Sequence, residues 1–162
     1  MIMRWPFLLY TENLPEGVAG DARGPVIRIR NGKEADEGLY RHELEHVKQW
    51  ALVGLPIGAL NAAAAWALAA TWAAAFSSPP LSPVQAAIAM GFAGFVGSHG
   101  LLYLCTRSYR QAAEVAAYRV QMCYPDGRGG QLTLDKAAEL LARPNYRLGL
   151  TVAQARIALR GD

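Results

Sequence analysis

Cysteine and histidine are both scarce in this chain, and charge is missing altogether from a long central stretch. There are 2 cysteines and 3 histidines among 162 residues. Cys105 and Cys123 lie eighteen positions apart. Reading the residues between them as one helix sets them roughly 27 Å apart, far beyond the ~7 Å that a disulfide tolerates between Cα atoms. Neither falls in a Cys-x-x-Cys pattern, so a disulfide scaffold and a cysteine metal knuckle are both excluded. The two are expected to be small buried apolar residues. The net charge is +3 and the pI near 9.0, but Lys and Arg are scattered, with no basic run interleaved with aromatics. That argues against nucleic acid as a partner. The opening "MIMRWPFLLY" has one Arg, a short apolar run and no small-residue cleavage site, so no cleaved export signal is expected.

From Gln49 to Thr106 there is no Asp, Glu, Lys or Arg. Two apolar segments fill this gap, about 55–76 and 84–105, separated by "SSPPLSP". Each is about 20 residues, the length that spans a hydrocarbon core of about 30 Å. The Pro/Ser turn between them predicts an antiparallel helical hairpin. One reading is a transmembrane pair, with Trp50, Trp66, Trp72 and Tyr103 near the interfaces. Gly91, Gly94, Gly97 and Gly100 then form a small-residue stripe for close packing. Lys48, Arg107 and Arg110 flank the hairpin on one side, which puts the rest of the chain in the cytoplasm. The other reading is a soluble hairpin buried among the partner chains of a larger assembly. It is favoured by the weakly lipophilic alanines of the first segment and by His99 in the second.

A length of 162 residues suits one domain with a sizeable core. Residues 7–10 and 26–30 read as short strands, the second because "VIRIR" alternates apolar and charged. The Gly- and Pro-rich "NLPEGVAGDARGP" between them reads as loop. A helix follows over about 36–53, with Leu39, Leu44, Val47 and Ala51 at helical spacing, stopped by Gly54 and Pro56. Beyond the hairpin, helices are expected at about 106–123 (Thr106 as its cap), 133–143 and 151–160, the last two opened by threonines in capping positions. The sum is an α+β, mostly helical fold.

The one stretch with recognisable chemistry is "YRHELEHVKQW", residues 40–50. Positions four apart are about one helical turn apart, so His42 and His46 project from the same face. Two imidazoles so placed can bind one Zn²⁺ at about 2.0–2.1 Å. Glu43 is turned about 100° from His42, beside the metal rather than on it, within reach of a metal-activated water. This is the His-Glu-x-x-His arrangement of zinc hydrolases. The same letters also suit a solvated helix with ion pairs of Glu43 to Lys48 and Arg41 to Glu45.

A catalytic zinc needs a third protein ligand. A histidine six positions after His46 would supply it in one version of the motif, but that position is Leu52. His99, inside an apolar segment, suits an interhelix hydrogen bond better. Glu114, mid-helix among alanines in "RQAAEVAAYR", is the preferred ligand, its alternative being an exposed residue paired with Arg110.

"HELEH" followed after an insertion by "EVAAY" resembles the gluzincin branch of the zincin metallopeptidases. More narrowly, it resembles small HExxH proteins of bacteria and their phages. The likeness covers residues 24–53 and 106–124. It implies a single zincin-like domain over 1–162, with a small N-terminal β-sheet packed on the HExxH helix and the Glu-bearing helix. The apolar hairpin 55–105 is then an insertion. It also implies His42, His46 and Glu114 as zinc ligands and Glu43 as general base. The strand "VIRIR" becomes the sheet edge where a peptide adds. The likeness departs at Tyr118, where the family often has an Asp that orients a ligand; this tyrosine either donates to an oxyanion or packs. The function expected is zinc-dependent cleavage of an amide bond in a peptide or a peptidoglycan stem. The rival is a structural or membrane-inserting component, such as part of a phage virion or tail, with a structural or vestigial zinc.

Overall fold

The structure is a computed structural model and describes residues 6–76 and 81–161. Part of the expected Pro/Ser turn, residues 77–80, lies outside them, as do the first five residues of the stretch read for an export signal. The fold is α+β and mostly helical. Strands β1 (Phe7–Tyr10), β2 (Gly20–Arg23) and β3 (Val26–Ile29) precede α1 (Glu37–Ala75) and α2 (Pro83–Cys105). Then come α3 (Arg107–Gln121), α4 (Leu134–Leu141), a 3₁₀ turn (Pro144–Tyr146) and α5 (Val152–Arg160).

The sheet has the order β1-β3-β2, with β1 parallel and β2 antiparallel to β3. This corrects two expectations. Residues 20–23 are a strand, not loop, and "VIRI" is the central strand, not an edge. The sequence GDAR carries no alternating pattern. It is made a strand by its partner: the chain reverses at Gly24, whose φ of 59° suits a residue without Cβ, and Asp21 lands opposite Arg28 and pairs with it.

The chain divides into two compact units, Met1–Lys48 with Tyr103–Asp162, and Gln49–Leu102. In the first, Ile27 and Ile29 of β3 pack on Leu39 and Val47 of α1, all buried. A second core joins Tyr118 of α3 to Ala137, Ala138 and Leu141 of α4 and to Ala155 and Leu159 of α5. Thr133 and Thr151 cap α4 and α5 as expected, Thr151 in a full capping box with Gln154. Thr106 sits at the start of α3 but its side chain makes no capping bond. Cys105 ends α2, so no single helix joins the cysteines. Both are unpaired, but exposed rather than buried.

In the second unit, α1 does not stop at Gly54 or Pro56 but runs on to Ala75. The glycines there serve close packing, not termination. A Cβ at Gly58 would come within 2.8 Å of the Gly91 carbonyl, and one at Gly91 within 2.9 Å of Ala62 Cβ. This close packing against α2 offsets the hydrogen bond lost at Pro56. Only Gly91 and Gly94 of the expected stripe face α1; nothing lies within 4 Å of a Cβ at Gly97 or Gly100. Trp50 is buried, its ring on Phe95 at 4.4 Å, whereas Trp66 and Trp72 are exposed along with Leu60, Leu68, Ile88 and Phe92. Both helices are long and apolar enough to cross a membrane.

Candidate metal centre

The centre is built where α1 and α3 run antiparallel within the first unit. Successive turns of α1, at His46, His42 and Gly38, meet successive turns of α3, at Glu114, Tyr118 and Gln121. His46 Nε2 is 3.5 Å from Glu114 Oε1. The His42 and Tyr118 rings meet edge-on at 4.6 Å. A Cβ at Gly38 would lie 3.0 Å from the Gln121 carbonyl. Small residues on α3, Ala113 and Ala117, are buried beside Glu114 and permit this approach. The alanines around Glu114 therefore mark a helix contact, as the sequence suggested.

His42, His46 and Glu114 can together hold a metal ion, their ligand atoms all lying within 4.8 Å of one another. His42 Nε2 is 3.7 Å from Glu114 Oε2. An ion at about 2.0–2.1 Å from two tetrahedrally placed atoms sets them roughly 3.3–3.4 Å apart, close to the 3.5 and 3.7 Å found. A second observation points the same way. Glu114 is 2 % exposed, and its Oε2 is buried with no hydrogen-bond partner. The other oxygen, Oε1, accepts from the Tyr103 hydroxyl. The carboxylate thus splits its two oxygens: Oε1 lies between the Tyr103 hydroxyl and His46, and the unpartnered Oε2 faces His42. His99 is not among these residues.

The electrostatics of the centre are dominated by burial. Burial pushes the His42 imidazolium well below its usual range, with His46 adding to the effect. Burial pushes the Glu43 carboxyl well above its usual range, with Glu114 and Asp21 contributing. Burial raises Glu114 too, opposed by His46, Tyr103 and Arg110. Among the described residues, two carboxyls share this site with two imidazoles and no Lys or Arg ion pair, a set of groups that suits a divalent cation.

Glu43 does not join the triad. It is 4 % exposed and, with His42, lines a cleft of ≈ 140 Å³ walled by Gly17 to Gly20 and by Tyr118 and Tyr146. Residue 20 lies close against this carboxyl: a Cβ there would meet Glu43 Oε1 at 3.1 Å. The ion pairs suggested for a solvated helix are replaced by others. Arg41 pairs with Glu37 and Lys48 with Glu45. Arg110 spends its guanidinium on the Tyr103 and Leu104 carbonyls instead of pairing with Glu114. Tyr118 packs on His42 and its hydroxyl bonds that of Tyr146 at 2.6 Å. Burial raises the pKa of both phenols, so both stay protonated and one of the two O–H hydrogens remains free to donate.

Sequence reasoning missed the roles of Tyr103, Tyr146 and Gly20. By sequence Tyr103 is only an interfacial aromatic. Its one signal is a polar tip at the end of an apolar helix, which needs a partner when buried. The chain matches no family model, no curated protein and no solved structure.

Proposed function

We propose that this chain is a zinc-dependent hydrolase of amide bonds, in which His42, His46 and Glu114 hold the metal and Glu43 is the general base. The observation that carries the reading is the division of labour among buried groups. The two Nε2 atoms converge on the buried Glu114 carboxylate, whose Oε2 has no hydrogen-bond partner, while the neighbouring carboxyl of Glu43 opens on a cleft. Two imidazoles and one carboxylate are a donor set suited to catalytic zinc. Bound there, zinc would lower the pKa of a water and polarise a carbonyl. Glu43 would take the proton released on attack and return it to the leaving amine. Burial raises its pKa, the direction that makes a carboxylate a better proton acceptor. The free hydrogen of the Tyr118–Tyr146 pair would donate to the carbonyl oxygen as charge develops. An extended peptide or peptidoglycan stem would pair with β2, the edge strand beside Glu43, rather than with β3.

In this reading the apolar part of α1 and α2 spans a membrane, with Lys48, Arg107 and Arg110 keeping the zinc site on the cytoplasmic side. The exposed apolar side chains of the hairpin also support a second reading. There the chain is a structural or membrane-inserting component, such as part of a virion or tail, and its zinc is structural.

The test begins with metal content, by mass spectrometry, of wild type and His46→Ala purified without added metal. One zinc per chain, lost in the variant, is expected; no zinc in either rejects the site. Glu43→Gln should keep its zinc and lose roughly 10²–10⁴-fold in hydrolysis. Full activity in that variant would remove Glu43 from the mechanism. Failure of the zinc-loaded wild type to cleave any peptide or stem substrate leaves the structural reading.

A further inference from the structure

One cation faces the cleft uncommitted. Among the described residues, Arg143 is the only Lys or Arg lining it, together with Asn145 and Tyr146. Its side chain is exposed, and among the described residues its guanidinium makes no hydrogen bond or ion pair. Three arginines of this unit that lie away from the cleft are committed to carboxylates: Arg28 to Asp21, Arg41 to Glu37, Arg156 to Asp135. Glu139, one turn earlier in the chain, feels the charge of Arg143 but is itself bonded to Lys136 at 2.8 Å.

The segment that carries Arg143 is firmly mounted. Pro144 opens the 3₁₀ turn that follows, and Arg147 ends it in the left-handed region at φ 53°. Arg110 of α3 donates to the Arg147 carbonyl at 3.3 Å, and Tyr146 bonds Tyr118 of the same helix at 2.6 Å. The cation is therefore held in register with the helix that supplies Glu114. The cleft, ≈ 140 Å³, is small beside the roughly 300–1,000 Å³ usual for ligand pockets. It suits the end of a chain better than its middle.

We infer that the Arg143 guanidinium binds a carboxylate of the substrate, and that this carboxylate is the free C-terminus of a short peptide. The inference rests on the hydrolase reading for its substrate class, but not for its chemistry. A guanidinium presents two parallel N–H donors that match a carboxylate and an amide cannot accept in the same way.

The test is calorimetric titration of the metal-free full chain in detergent, where no turnover intrudes. The probes are acetyl-Ala-Ala, its C-terminal amide, and acetyl-Ala-Glu-Ala-amide. The acid should bind at least about tenfold more tightly than the amide. Arg143→Gln, an exposed change that the fold tolerates, should abolish the difference, and Arg143→Lys should restore part of it. Equal affinities, or a preference that survives Arg143→Gln, would overturn the inference. Tight binding of the Glu-containing amide alone would keep the carboxylate site but overturn the assignment to a C-terminus. Hydrolysis is scored separately on the zinc-loaded chain. Discrimination without cleavage rejects the hydrolase reading and leaves the carboxylate site, whereas cleavage of acid and amide at equal rates does the reverse.

Discussion

Gly20→Ala should displace Glu43, the proposed general base, without changing that residue. A Cβ at this position would lie 3.1 Å from Glu43 Oε1, 3.3 Å from Glu43 Cγ and 3.2 Å from the Arg28 carbonyl. Comfortable non-bonded contact is about 3.5–4.0 Å, so something must yield by about 0.4 Å. The Arg28 carbonyl belongs to the central strand, and the backbone under Glu43 is pinned by the buried Leu39 and Val47. The Glu43 side chain is the softest of the three. A displacement of about 1 Å at a reacting group can cost about 10²-fold, so a few tenths of an ångström should lower kcat by roughly 3- to 10-fold. Zinc content should be unchanged, because no ligand moves, and the thermal midpoint should shift little, because β2 is an edge strand. The assay is hydrolysis of a substrate found by screening the zinc-loaded chain, with metal content measured on the same samples. An unchanged kcat would mean that Glu43 does not act from the position seen, and lost zinc would mean that the alanine disturbs His42 instead.

Four other outcomes follow from the same contacts. Tyr103→Phe removes the donor that fixes Glu114 Oε1 and should weaken zinc by about 10- to 100-fold in a chelator competition; equal affinity would show that Glu114 needs no such support. Thr151→Ala breaks the capping box of α5 and should cost about 1 kcal/mol in a denaturation curve, with zinc affinity unaffected. Gly58→Leu places a side chain where the Gly91 carbonyl sits 2.8 Å from a bare Cβ, so cross-linking of cysteines placed on α1 and α2 should fall sharply. Zinc affinity should rise with pH and then level off. Both imidazoles must be neutral and Glu114 ionised to bind, and burial, which raises Glu114, carries proton competition above the ordinary carboxyl range. Affinity that is flat from acid to neutral pH would contradict that assignment.

The parts of the fold that could be read from the sequence are those whose cause is local. Val26 to Ile29 alternates because one of its faces lies on α1, and that is visible within four residues. The threonine caps of α4 and α5 are equally local. Gly20 to Arg23 is a strand only because β3 lies beside it, and no property of Gly-Asp-Ala-Arg announces that. Gly54 and Pro56 look like a stop signal because a lone helix would end there. The helix continues because α2 packs against those glycines, a fact written some forty residues later in the chain.

The candidate metal centre divides along the same line. His42, Glu43 and His46 lie on one turn of one helix, so their geometry follows from helical periodicity alone. Glu114 comes from another helix and is legible only indirectly, because a carboxylate among alanines is a poor choice for a solvated surface and a good one for a close helix contact. Tyr103 has no such oddity: a tyrosine closing an apolar helix is what a membrane interface also selects. One residue type thus satisfies two physical demands, and only the bond to Glu114 says which demand operates. The consequence can be tested apart from hydrolysis. If Tyr103 were chiefly an interfacial aromatic, Tyr103→Trp would be tolerated and zinc affinity would hold. If it chiefly holds Glu114, the bulkier indole should disturb zinc binding at least as much as phenylalanine does.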